Sequence, residues 1–398
     1  MEEREKLFKK VEEKYKSTGH VLMEFATGTG KSLAAIRLIK DNPKEKWVIL
    51  VSKLVHINNW RDEFTKWNKD HLLKQVQFIA YASATKFAET GIKRNVIADE
   101  AHNINENRYM AIRDILNINP HTQKGTGRGH FIALSATIDE ERRPMLHRLG
   151  ISHQNTVKFS LDSSVNADII ADYKLLVVDV PLENTKVAYH RLNKWKIVKA
   201  TEEDVYHILT AKYKSILEMG GDTKFATLDR MHFIYNCPSK KAAAQIIIEQ
   251  LDDDRKLLVF GSSIAQIEGL VYHTHHSKKS KKDDTFQRFK DGKISTLGAV
   301  TTIAEGVNIP KLDTGFIVQA MSKSLHMVQR TGRLLRKDTD KQATVIVLRL
   351  IGTQDEKWVN NSLKDFDKNK VHYTTIFEVK NEGIETILAN LDTQITIS

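Results

Sequence analysis

The chain has 398 residues, enough at about 150 residues per domain for two or three domains. Its 41% hydrophobic and 28% charged content excludes a disordered chain, and 19 Gly with 6 Pro exclude a collagen-like or linker-dominated one. The balance of 61 Lys+Arg against 50 Asp+Glu gives +11, which points to a polyanionic partner. Cys237 is the single cysteine, so an intrachain disulfide and a Cys-based zinc site are excluded. The charged opening MEEREKLFKKVEEKYK has no apolar core for a secretory signal, and no stretch approaches the ~18 apolar residues of a membrane span. A soluble, cytoplasmic protein without a membrane partner is expected.

In chain order, strands are predicted at Val21–Ala26, Trp47–Ser52, Val76–Tyr81, Asn95–Asp99 and Phe131–Ser135. Their continuous apolar character, without alternation, predicts a parallel sheet buried on both faces. Leu33–Lys40, Asn58–Trp67 and Glu106–Leu116 carry helical spacing between them, which makes right-handed strand–helix–strand units. Polar, small residues at Ser160–Asp168 predict a hinge. A second cycle of strands follows at Leu257–Phe260, Gly269–His273, Leu297–Thr301, Gly315–Gln319 and Thr344–Leu348. Tyr173–Leu251 opens on a strand-like LLVVDV, turns helical and extends the second domain. The expected fold is α/β, with two doubly wound parallel-sheet domains at 1–162 and 163–350. A short tail, 351–398, is expected to pack on the second domain, with one amphipathic helix candidate at Glu356–Phe366.

Phe25–Ser32 reads FATGTGKS between a predicted strand and a predicted helix. Small residues there let backbone N–H groups of Ala26, Thr27, Gly28, Thr29 and Gly30 converge on phosphate oxygens at the positive end of the helix. Lys31 then reaches the β/γ-phosphates and Ser32 ligates Mg²⁺. The strict pattern has Gly where Phe25 stands. Asp99-Glu100-Ala101-His102 closes another predicted strand, 67 residues after Ser32. A carboxylate at that sheet edge lies beside the phosphate loop: Asp99 is the candidate to hold Mg²⁺, and Glu100 to deprotonate the attacking water. In Gln329–Arg336 (QRTGRLLR), Arg333 and Arg336 share one face of a helix, and Gln329 lies on nearly the same face.

With these residues the chain resembles the superfamily 2 helicases and translocases, ATPases with two RecA-like domains that move along nucleic acid. FATGTGKS is similar to motif I, DEAH to motif II, Ser135-Ala136-Thr137 to motif III and Leu258–Ser262 to motif IV. Thr301–Pro310 (TTIAEGVNIP) is similar to motif V and QRTGRLLR to motif VI, all in the family's order. The resemblance implies ATP and Mg²⁺ in a cleft between the two domains, with Arg336 as first choice for an arginine finger and Arg333 also near the phosphates. It places Glu305 and Gly306 at the nucleotide, and gives His102, Ser135 and Thr137 a part in coupling hydrolysis to movement. No Gln precedes Gln75, so the upstream adenine-reading segment of many relatives has no counterpart.

The nucleic-acid candidates are two basic runs and two motif residues. His273–Lys293 holds seven Lys/Arg against three Asp, Lys278 and Lys279 among them, and Lys124 and Arg128 flank a glycine-rich loop. Ser262 and Thr301 join them through motifs IV and V. A solvated loop is an equally good reading of KKSKK. Trp60 and Trp67 are expected in the core, and His275 and His276 at a solvated strand end. EGVNIP, QRTGRLLR and the tail segment Gly352–Trp358 resemble branch-migration, restriction-type and compact phage DNA helicases. The function so implied is ATP-driven movement on DNA that remodels forks or branched junctions. The alternatives are an RNA helicase and a nucleic-acid binding or annealing protein with a vestigial ATPase.

Overall fold

Apolar residues fill Trp47–Val51 completely and Phe131–Ser135 up to its terminal serine, so neither face of these strands can be left to water. In the computed structural model both strands are wholly buried inside a parallel sheet. The structure describes residues 2–118, 129–192, 196–275, 283–300, 309–320, 342–364 and 366–395. The chain divides into two units, Met1–Ile170 and Ala171–Ser398.

The first unit carries β1 (His20–Phe25), β2 (Trp47–Val51), β3 (Val76–Ala80), β4 (Asn95–Ala98), β5 (Phe131–Ser135) and β6 (Thr156–Phe159). All are parallel, in the order β3-β2-β4-β5-β1-β6. Five of these strands coincide with the predicted ones to within one residue at each end. β6 was not anticipated, because an edge strand that buries only Val157 has no apolar run to announce it. The charged N-terminal stretch is a helix, Glu2–Thr18, which buries Leu7, Phe8, Val11 and Tyr15 against the sheet core. Four residues at helical spacing suffice, although the stretch as a whole reads as polar.

The segment Ser160–Asp168, expected as a hinge, is helical over most of its length. Leu161–Asn166 forms a short helix whose N-cap, Ser160, accepts a hydrogen bond from the Ser163 N–H at 3.1 Å, and the units divide beyond it at Ile170. Small polar residues suit a cap as well as a linker, and the buried Leu161 decides between them.

The second unit holds β7 (Tyr173–Val180), β8 (Ala188–Arg191), β9 (Ile197–Ala200), β10 (Leu257–Gly261), β11 (Thr274–His275), β12 (Thr296–Val300), β13 (Thr314–Ile317), β14 (Ala343–Leu350) and β15 (Val371–Thr375). Seven of them make a parallel sheet in the order β11-β12-β10-β13-β14-β7-β15; β8 and β9 form a separate antiparallel ribbon. The predicted strand Gly269–His273 is corrected. Leu270 and Val271 turn their N–H groups back onto the Ile267 carbonyl at the end of helix Ile264–Glu268, and the two-residue strand starts only at Thr274. Helices Glu202–Glu218, Lys224–Tyr235 and Pro238–Gln250 cover the sheet with Val205, Leu209, Phe233, Ala244 and Ile247.

The tail is part of this unit's sheet. β15 pairs with β7 along its edge, between helix Gln354–Ser362 and the paired helices Ile376–Glu382 and Ile384–Ile395. A fully buried polar knot ties it in. Lys240 Nζ donates to Asp355 Oδ2 at 2.7 Å and to Gln319 Oε1 at 2.8 Å, while Gln319 Nε2 donates to Asp355 Oδ1 at 2.7 Å. Among the described residues no helix is long and apolar enough to cross a membrane.

Candidate nucleotide-binding site

The order of the first sheet assembles the site. β5 lies between β4 and β1, so the segments leaving the carboxyl ends of these three strands are neighbours. They carry Asp99-Glu100, Ser135–Thr137 and the phosphate loop, respectively.

The loop runs from Phe25, the last residue of β1, to helix Lys31–Asp41. Phe25 is buried in the strand and meets Phe159 of β6 edge-on at 6.3 Å, so the position that departs from the strict pattern serves the core. Gly28 and Gly30 take left-handed φ of +88° and +99°, which a side chain would strain. A Cβ at Gly30 would also approach the Phe8 ring to 3.1 Å. Thr29 is buried and its hydroxyl donates to the Ala26 carbonyl at 2.8 Å, which closes the loop. Lys31 Nζ donates to the carbonyls of Phe25 (2.9 Å) and Ala26 (3.3 Å), so the ammonium lies over the loop mouth. The helix has no side-chain cap and no acidic residue in its first turn, leaving its positive end to an anion. Such a cradle with Ser32 next to Lys31 suits a polyphosphate with its divalent cation.

Asp99 follows β4 and is tightly held. Its backbone N–H donates to the Leu50 carbonyl at 3.0 Å, and its Oδ2 accepts from the Trp60 indole Nε1 at 2.8 Å. Loss of water around the carboxyl pushes its pKa up to about 6, and the Glu100 charge adds to this; Trp60, His56 and Lys31 pull the other way. Lys31 and Asp99 thus sense each other electrostatically, as a loop lysine and a metal-holding carboxylate must. His56 and Trp60 were not anticipated at the site. They lie four apart on helix Val55–Lys66, which follows β2, the sheet neighbour of β4. The expectation that Trp60 is a core residue holds, since it is 3% exposed, but its N–H also serves the site. Trp67 instead donates to Glu63 of its own helix at 3.0 Å.

Glu100 adopts a left-handed φ of +52°, a conformation few non-glycine residues take and one that occurs at functional sites. Its Oε2 lies 3.4 Å from His102 Nδ1, and that nitrogen lies 3.2 Å from the Ser135 hydroxyl. Ser135, fully buried, donates on to the Thr137 carbonyl at 2.6 Å. The candidate base is therefore joined through His102 to the segment after β5. Glu24 of β1, in register with Ser135, accepts from the Ile138 N–H at 3.0 Å and pairs with Arg143 at 3.3 Å. No motif marks Glu24; its signal is a carboxylate within an otherwise apolar strand.

In the second unit Ser262 follows β10, where its N–H and hydroxyl both donate to Gln266 Oε1 at 2.8 and 3.1 Å. Thr301, Glu305, Gly306, Gln329, Arg333 and Arg336 lie outside the described residues, as do Lys124, Arg128, Lys278, Lys279 and His276. The strands that lead into the motif V- and VI-like segments, β12 and β13, both pair with β10.

Two family models match the chain: the res subunit of type III restriction enzymes over residues 2–140, and the conserved C-terminal helicase domain over residues 229–338. The DNA 3'-5' translocase XPB2 of Sulfurisphaera tokodaii is 24% identical over 363 residues, covering 83% of this chain and 77% of that protein. The chain belongs to the superfamily 2 helicases, and with them to the nucleic-acid-dependent ATPases. Among solved structures, the ATP-dependent type ISP restriction-modification enzyme LlaBIII bound to DNA aligns with a TM-score of 0.60 at 12% identity, over 98% of this chain. The chain spans 32% of that enzyme's length. A Saccharomyces cerevisiae Dbp5 variant bound to RNA and ADP BeF3 aligns with a TM-score of 0.59 at 12% identity, over 94% of this chain and 89% of the other. The two parallel-sheet units are RecA-like.

Proposed function

We propose that this protein is a cytoplasmic DNA translocase that hydrolyses ATP to remodel forks or branched junctions. The observation that carries the reading is the convergence of Lys31, Asp99 and Glu100 beyond the carboxyl ends of β1 and β4, on either side of β5, with Glu100 linked through His102 to Ser135 and Thr137. Ser32 and Asp99 would hold Mg²⁺, which when bound offsets phosphate charge and orients the γ-phosphate. Lys31 leaves the Phe25 and Ala26 carbonyls for phosphate oxygens, a better partner for an ammonium than a neutral carbonyl. Glu100 takes the proton of the attacking water. Any change in the Glu100–His102 contact is transmitted through the Ser135 hydroxyl to the segment that Glu24 also grips, and this couples hydrolysis to movement. By their likeness to motif VI, Arg336 and Arg333 would add charge stabilisation at the γ-phosphate. DNA is preferred as the track because the similar XPB2 is named a DNA translocase.

The test is an ATPase screen over forks, four-way junctions, duplex, single strands and RNA, with Lys31→Ala as control. Stimulation by branched or single-stranded DNA is expected, and Lys31→Ala abolishes turnover while leaving salt-sensitive DNA binding. Stimulation by RNA alone overturns the DNA reading. Equal remodelling by wild type and Lys31→Ala overturns the motor.

A further inference from the structure

Residues 184–200 contain Lys186, Arg191, Lys194, Lys196 and Lys199 and no Asp or Glu. Within them β8 and β9 form the antiparallel ribbon, with Tyr189 opposite Lys199 and Arg191 opposite Ile197. Side chains of directly opposed residues share a face, and successive pairs alternate faces. The pairs Ala188–Ala200 and His190–Val198 therefore turn the other way. There His190 is buried edge-on against Phe233 at 6.3 Å, and Val198 and Ala200 pack against the core of the unit.

The outer face is open. Tyr189 is 77% exposed and Ile197 59% exposed, with Arg191 and Lys199 exposed beside them. Lys199 Nζ sits 5.9 Å from the Tyr189 ring centroid. A two-stranded ribbon held on one side by a core presents a flat ring and two cations on the other, and the carboxylates nearest in sequence, Glu183 and Glu202–Asp204, lie outside the two strands. A ring accepts a nucleobase by stacking, and flanking cations accept the backbone phosphates. Bases of an intact duplex have no free face for such a ring, so the surface selects unpaired strands.

We propose that this outer face binds single-stranded DNA, with Tyr189 stacking on an unpaired base and Arg191 and Lys199 holding adjacent phosphates. The assignment rests on the reading of the protein as a DNA translocase and adds to it a strand-selective contact outside the helicase motifs.

The test is fluorescence anisotropy without nucleotide, using a fluorescein-labelled single strand, a blunt duplex and a single-stranded RNA of the same sequence. Tyr189→Ala is expected to weaken single-strand binding roughly 5- to 150-fold, with duplex affinity changed less than about twofold. Tyr189→Phe, which keeps the ring, restores single-strand binding. Arg191→Ala and Lys199→Ala each lower the slope of log affinity against log salt by about 0.7. Unchanged binding by Tyr189→Ala, or equal losses on single strand and duplex, overturns the proposal, and so does Tyr189→Phe behaving like Tyr189→Ala. Tighter binding of the RNA reassigns the face away from DNA and also overturns it. DNA-stimulated ATPase of the wild type is measured alongside. If it is present while Tyr189→Ala binds normally, the ribbon assignment alone fails. If no DNA stimulates the wild type, the translocase reading fails first.

Discussion

Replacing Trp60 by Phe removes one N–H from the Asp99 carboxylate and keeps a ring in the same core. The bond lost is short, 2.8 Å, and its acceptor is charged when metal is held. Hydrogen bonds to charged groups contribute about 1.5–3 kcal/mol, and outlying partners of metal ligands are worth about 10–100-fold in affinity, which at ~1.4 kcal/mol per tenfold is the same range. Trp60 also holds the Asp99 pKa down, so its loss raises a carboxyl already near 6 and adds proton competition. The expected result at pH 7 is a tenfold or greater rise in the Mg²⁺ concentration for half-maximal binding of a fluorescent ADP analogue, and a parallel rise for ATPase. Packing loss is controlled by Trp47→Phe. Trp47 is buried in the same core, 6.1 Å from the His130 ring, and among the described residues its indole N–H has no partner. Both variants are expected to lower the melting temperature, but only Trp60→Phe shifts the Mg²⁺ dependence. If the two behave alike, or Trp60→Phe stays within twofold of wild type, Trp60 does not position Asp99.

Three further outcomes follow from the same geometry. Glu100→Gln binds ATP yet turns it over at least about 100-fold more slowly, the usual worth of a positioned base; near-normal turnover in a steady-state assay removes Glu100 from that role. Because the Asp99 pKa is raised, the folded protein binds the proton more tightly than the unfolded chain. The Asp99 contribution to stability without Mg²⁺ therefore falls as pH rises from about 4 to 6, and apparent Mg²⁺ affinity falls about tenfold per unit below pH 6; denaturation of wild type against Asp99→Asn and Mg²⁺ titrations across pH 4.5–7.5 check both signs. Lys240→Met leaves Asp355 charged and buried at a cost of about 3–5 kcal/mol, whereas Lys240→Met with Asp355→Leu recovers part of it; equal destabilisation of single and double variants in urea melts would refute the buried pair as the cause.

The central strands of both sheets were legible because strands buried on two faces have few polar positions. β6, β11 and β15 escaped notice because edge or very short strands bury few side chains. Glycines, Lys31 and the Asp99-Glu100 pair announced themselves because their chemistry needs those residue types at fixed spacing. Trp60 and Glu24 did not, since an indole N–H or a carboxylate reaches its target through sheet order, and β2–β4 and β1–β5 pairing is not written in local spacing. The helix that begins after Ser160 was hidden for a related reason: capping residues and linker residues are the same small polar set.

The pairing of the second unit also sets an order of events during synthesis. β7, its first strand, joins β14 and β15, and Tyr173 waits for Ala343, 170 residues later, to be paired. Until residues 371–375 leave the ribosome, β7 lacks its β15 partner, and long-range parallel pairing of this kind is the sort that slows folding and leaves strand edges open. The first unit, closed by β6 at Phe159, has all its strands in hand long before. A stalled or shortened chain therefore yields a complete phosphate-loop domain attached to a sticky, unfinished second one.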